Sequence, residues 1–112
     1  MRVRGPDMEA AREQRYVHNE EVFRRANERL HQDWAQMGME SGSEALFLCE
    51  CGDVTCREAM RIRISEYEAI RTDPAAFIVM PGHEDTALES VDESAGAKDG
   101  RYLVVRKNGD AS

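Results

Sequence analysis

A chain of 112 residues is a single domain by size, and a domain of that size buries only about 65% of the surface its unfolded form exposes. The formal charge of −7 argues against a dedicated nucleic-acid surface, which is normally basic. No apolar run reaches the length of a membrane span or of a secretory signal core, so no membrane association is expected and the cytoplasm is the default compartment.

Residues 1–7 read as a flexible lead in which Pro6 and Asp7 suit a helix start. From Met8 to Met37 there is no Gly or Pro, and Ala, Glu, Arg and Gln dominate. Tyr16, Phe23, Leu30 and Met37 recur every seventh residue, and Val17, Ala26 and Trp34 widen the stripe, which predicts one long amphipathic helix. The positions three residues further on (Asn19, Ala26, Asp33, Glu40) are mostly polar, so a self-sufficient two-stranded coiled coil is disfavoured. The apolar stripe then packs on the chain's own domain or docks on a partner, a homodimer included. Gly38 ends the helix and Ser41-Gly42-Ser43 is a joint.

Glu44 to Cys51 reads as a strand with Ala45, Phe47, Cys49 and Cys51 on one face and Glu44, Leu46, Leu48 and Glu50 on the other. Gly52-Asp53 signals a turn, and Met60, Ile62 and Ile64 alternate with Arg61 and Arg63 as a returning strand. Ser65-Glu66-Tyr67-Glu68 has the form of a capping box opening a short helix to about Thr72, with Tyr67 and Ile70 inward. Asp73-Pro74 stops it, Phe77 to Met80 is a short strand, and Pro81-Gly82 turns the chain to present His83. A last hairpin pairs Thr86 to about Asp92 with Arg101 to Lys107, its Asp99-Gly100 supplying a positive-φ position. The organisation expected is 1–43 lead and helix, 44–108 a metal-stabilised domain, and 109–112 a tail.

All three cysteines fall between residues 49 and 56, two of them separated by one residue. In a reducing compartment that pattern favours metal ligation over disulfides. Zinc holds thiolates at about 2.3 Å in a tetrahedron, so two ligand sulfurs sit roughly 3.8 Å apart. Cys49 and Cys51 share a strand face at a spacing of about 6.5 Å and converge if the strand bends, which Gly52 permits. Cys56 returns a third thiolate from the other arm. For the fourth corner, His83 on its Pro-Gly turn is the preferred ligand, with Glu84, Asp53 or water as alternatives. His18 and His31 lie among helix charges. Free thiols, or a redox pair at Cys49 and Cys51 with a pKa lowered by Arg57, compete with the zinc reading. A catalytic zinc with Glu84 or Glu50 as base is disfavoured, because three thiolates blunt the ion's Lewis acidity.

Arg57, Arg61 and Arg63 form a basic stripe, while Glu84, Asp85, Glu89, Asp92, Glu93 and Asp99 make the segment after His83 acidic. The bland reading is a solvated mixed surface; the sharper one is an acidic hairpin that meets a basic protein surface.

From Leu46 to Lys107 the chain resembles a group of small zinc-binding-like bacterial proteins of the high-GC Gram-positive type, to which no activity is attached. The residues that carry the resemblance are Phe47-Leu48-Cys49-Glu50-Cys51 with Cys56, Glu66-Tyr67-Glu68, Pro81-Gly82-His83-Glu84 and Tyr102-Leu103-Val104-Val105. The resemblance implies that Cys49, Cys51, Cys56 and His83 belong to one site. The expected fold is α+β: a long N-terminal helix, then a small antiparallel sheet with one short helix, clamped by a three-cysteine, one-histidine zinc site. The function expected is a non-enzymatic interaction module, regulatory in character and with transcription machinery as a conceivable partner. The alternatives are a thiol-based redox or zinc sensor and a small zinc hydrolase.

Overall fold

The computed structural model describes residues 5–53, 55–93, 95–97 and 100–107, the side chains of 5–13 and of Lys107 excepted. Its elements are α1 (Gly5–Gln36), β1 (Glu44–Leu48), β2 (Ala59–Arg63), α2 (Ile64–Arg71), β3 (Ala76–Val79), β4 (Glu89–Val91) and β5 (Leu103–Lys107). The fold is α+β. Its strands divide into two antiparallel sheets, β1-β2 and β3-β5-β4, where a single sheet was expected. Asp99 and residues 109–112 lie outside the described residues; Gly100 has φ of 80° and donates its N–H to Ala97 O.

Helix α1 leaves through two crossed backbone bonds, Gly38 N–H to Ala35 O and Met39 N–H to Trp34 O, the pairing of a Schellman stop. Its packed seam differs from the predicted stripe. Met37 is 71% exposed, whereas Glu20 and Asn27 are buried at 1% and 0%. The seam runs Tyr16, Glu20, Phe23, Asn27, Leu30, Trp34, alternating steps of four and three along the helix, so polar groups occupy its middle. The second of them, Asn27, is there to hold β1. The Asn27 side chain accepts the Leu48 N–H at 2.7 Å and donates to the Leu48 carbonyl at 2.9 Å, doing for β1 what a neighbouring strand would do.

In the β1-β2 ladder Phe47 stands opposite Met60 and Ala45 opposite Ile62, all four buried, while Arg61 and Arg63 face solvent. The Phe47 ring stacks on Tyr67 of α2 at 4.2 Å and nearly parallel, joining this sheet to the core. Helix α2 starts one residue before Ser65, and the capping box is not made. Arg63 occupies the cap position without a side-chain bond, and Glu68 pairs with His31 at 2.7 Å. Instead the N–H groups of Ile64 and Ser65 donate to the carbonyls of Ser43 and Ser41, so the joint after α1 satisfies the helix start.

Strand β3 is buried throughout, pairs with β5 from Ala76↔Arg106 to Val79↔Leu103, and leaves its other edge open to the cysteine segment. The last hairpin is shorter than expected on its first arm, because Leu88 and Glu89 donate back to Asp85 O in a turn before β4 begins. No helix among the described residues is long and apolar enough to cross a membrane.

A heptad view of α1 recommends an apolar residue at position 27, but the contacts require an amide. Asn27→Leu should destabilise by about 2–4 kcal/mol, because it strands both polar groups of Leu48 and removes a donor from Glu50. Denaturant unfolding measures this; an unchanged or higher midpoint would show the amide to be dispensable.

Candidate metal centre

Beyond Leu48 the chain changes partners. Cys49 still donates to Glu58 O on the β2 side, but Glu50 donates its N–H at 2.7 Å to Ile78 O of β3. The Glu50 side chain, fully buried, completes the exchange by accepting the Ile78 N–H at 3.0 Å. Two residues on, the Met80 N–H donates to Cys49 Sγ at 3.3 Å. The outward N–H of Ile78 in β3 and that of Met80 just after it therefore bond to a carboxylate and a sulfur in place of another strand. This switch is why the expected strand over 44–51 stops at 48, and it carries Cys49 and Cys51 to the end of β3 that delivers His83.

His83 is aimed by the turn Met80-Pro81-Gly82-His83, closed by its own N–H to Met80 O at 2.9 Å. Gly82 sits at φ of 94°, which the third position of such a proline-initiated turn requires. His83 Nδ1 lies 3.5 Å from Cys49 Sγ, 3.9 Å from Cys51 Sγ and 3.5 Å from Cys56 Sγ. The ligand atoms of all four residues lie within 4.8 Å of one another, so the group could hold a metal ion. The other nominees are engaged elsewhere. Asp53 is exposed and accepts from Thr55 N–H and Oγ1, Glu84 accepts from Gly82 N–H, and Glu50 belongs to the buried junction. Of the remaining histidines, His18 is exposed and His31 bridges to Glu68.

The three sulfurs have unequal environments. The Cys49 thiol is held below its ordinary pKa, first by the hydrogen bond from Cys51 and also by the backbone N–H groups of Met80 and Cys51. Cys51 is pushed up, by that same bond and then by burial, and burial raises Cys56. Cys51 and Cys56 also receive backbone N–H groups, from Asp53 and Glu58, which work in the opposite direction. Left to themselves, the sulfurs ionise unequally, Cys49 most readily. A coordinating cation would supply the charge that lets all three be thiolates.

Several residues that support this loop escaped sequence reasoning. Glu50 Oε2 accepts from Asn27 Nδ2 at 2.7 Å and from the Arg71 guanidinium at 2.6 Å, so α1, α2 and β3 meet at the residue between two of the cysteines. Burial pushes the Glu50 carboxyl above its ordinary range, against the pull of Arg71 and the other donors. Burial also works against the Arg71 charge, but Glu50 beside it more than restores it. From α1, Asn19 donates to Gly52 O at 2.9 Å. The Tyr16 ring lies flat against Gly52 so closely that a Cβ there would fall 2.3 Å from it, and its hydroxyl donates to the buried Glu89. Only the glycine in the C-E-C-G run hinted at this approach; the polar helix positions gave no signal.

A cleft of about 440 Å³ opens beside Cys51 and His83, rimmed by Tyr16, Asp53, Glu84 and Asp85. A larger one of about 660 Å³ lies between α2 and the approach to β5, but its arginines, Arg101 and Arg106, are already paired with Glu44 and with Asp73 and Asp92. Comparison with protein-family models, with curated proteins and with solved structures finds no match to this chain.

Two substitutions probe this scaffold. Gly52→Ala should cost about 1–3 kcal/mol by overpacking against Tyr16, and Tyr16→Ala in the same chain should recover part of it; strictly additive losses in a double-mutant cycle would refute the contact. Glu50→Gln keeps the shape but leaves Arg71 opposite a neutral group. It should lower stability by about 2–4 kcal/mol and weaken metal binding with it, read by melting and by competition with a chromophoric chelator.

Proposed function

We propose that Cys49, Cys51, Cys56 and His83 bind one zinc ion as a structural centre, and that the chain is a non-enzymatic binding module held together by it. The observation that carries this reading is the set of His83 Nδ1 to sulfur distances, 3.5, 3.9 and 3.5 Å. For a tetrahedral zinc with its usual sulfur and nitrogen bond lengths that edge is about 3.6 Å. A lone packed histidine has no reason to stand at that distance from three sulfurs at once. Soft thiolates with one imidazole suit zinc better than magnesium, calcium or manganese, which take oxygen donors. The resemblance to small bacterial proteins with the same cysteine and histidine pattern points the same way.

Four protein ligands leave no open coordination position, and three thiolates give the centre one net negative charge, which weakens a hydrolytic role. In this reading a protein partner meets the exposed apolar side chains rather than the acidic hairpin. Glu89 is buried and Asp92 pairs with Arg106, whereas Val22, Leu46 and Met37 are 44, 52 and 71% exposed. The α1 seam from Tyr16 to Trp34 faces its own chain, which removes the most apolar part of the helix from a homodimer contact.

Elemental analysis of anaerobically prepared protein should find one zinc per chain, and cobalt in its place should show the absorption of a tetrahedral thiolate site. Because metal binding and folding are linked, stripping the metal or substituting Cys56→Ser should lower the melting temperature by about 10 °C or more. Unchanged melting with full metal content in the variant would remove Cys56 from the site.

A further inference from the structure

The four ligands are not equally protected. Cys49 and Cys51 are each 2% exposed, whereas Cys56 is half-buried and sits on the outer arm of the loop. The Cys49 sulfur takes the Met80 N–H from beyond the loop and its own N–H bonds Glu58 O, whereas the Cys51 and Cys56 sulfurs take N–H groups from the loop itself, Asp53 and Glu58. Cys51 and Cys56 both lie beyond that last ladder bond, and their sulfurs are within 4.8 Å of each other. Cys51 and His83 also border the 440 Å³ cleft, whose rim carries the carboxylates of Asp53, Glu84 and Asp85. Cys56 is therefore the least buried of the three cysteines, the Cys51 sulfur lies beside its own, and the cleft offers a cation an acidic way out.

We propose that Cys56 and Cys51 form a two-electron oxidation site for small uncharged hydroperoxides, and that their oxidation expels the zinc. This rests on the zinc reading above and adds regulation to the same centre. The Cys56 thiolate attacks one peroxide oxygen, the O–O bond breaks, and the leaving oxygen takes a proton from water, giving a sulfenic acid at Cys56. The Cys51 thiolate then attacks the Cys56 sulfur, an S–S bond forms, and hydroxide leaves and is protonated. Two electrons pass from the sulfur pair to the peroxide, which ends as two waters when the oxidant is hydrogen peroxide. The ion loses two of its three anionic ligands, and Cys49 with His83 cannot retain it. The acidic rim repels anionic oxidants and attracts the departing cation.

The test is a hydrogen peroxide titration of the zinc-loaded full chain, with a chromogenic chelator reporting zinc and peptide mapping locating the cross-link. Zinc should appear mole for mole with peroxide consumed, the cross-link should join Cys51 to Cys56, and a thiol reductant should restore zinc binding. Mapping is done on the native chain, so the assignment does not depend on a ligand variant that fails to fold. In a Glu84→Gln, Asp85→Asn variant, release by the anionic oxidant peroxymonosulfate should quicken by about threefold or more, with the peroxide rate unchanged. Zinc that survives excess peroxide, or a cross-link through Cys49, would overturn the proposal while leaving the structural zinc intact. An unchanged peroxymonosulfate rate would overturn the acidic gate. A chain that never holds zinc would overturn the zinc reading itself, and this proposal with it.

Discussion

One carboxylate sits where every layer of this molecule meets. Burying a charge costs several kcal/mol unless its lone pairs are filled. Glu50 fills them with the Asn27 amide from α1, the Arg71 guanidinium from α2 and the Ile78 N–H from β3. It can do so only when both helices and β3 are in place, so its satisfaction depends on the assembly of the domain. Because Glu50 lies between Cys49 and Cys51, the same bonds set where the two sulfurs point. The cysteine–histidine cluster is thus a consequence of the junction.

The long helix is best understood as the outer jaw of that loop. It touches the cysteine segment at three points: the Tyr16 ring on Gly52, Asn19 on the Gly52 carbonyl, and Asn27 on Leu48 and Glu50. Contacts of this polar kind add less free energy than apolar ones, but they accept one register only. A helix slipped by one residue would part the Asn27 amide from Leu48 and Glu50, and a buried polar group left without its partner costs about 1–3 kcal/mol. Comparable polar positions in coiled coils give up stability to secure register in the same way.

Charge on the surface is organised rather than spread. Arg106 is held between Asp73 and Asp92, Arg101 reaches Glu44, and the buried Glu89 anchors Tyr16 from the far hairpin. Glu89 and Asp92, two of the acidic residues after His83, therefore work inside the molecule. Glu84 and Asp85, with Asp53, gather at the cleft beside the cysteine–histidine group.

The elements themselves were legible in the amino-acid order, because helix period, strand alternation and the punctuation of Gly38, Asp73-Pro74 and Pro81-Gly82 are local properties of the chain. So was the nomination of Cys49, Cys51, Cys56 and His83, since three thiols in eight residues with a turn-borne histidine point to one kind of chemistry. Only tertiary structure decided that Asn27 rather than an apolar neighbour occupies the centre of the α1 seam. It also decided that Ser41 and Ser43 supply the carbonyls that start α2, and that Glu50 is a buried junction. These outcomes turn on hydrogen bonds between groups more than twenty residues apart, and no periodicity in a sequence records which distant donor a polar side chain will find.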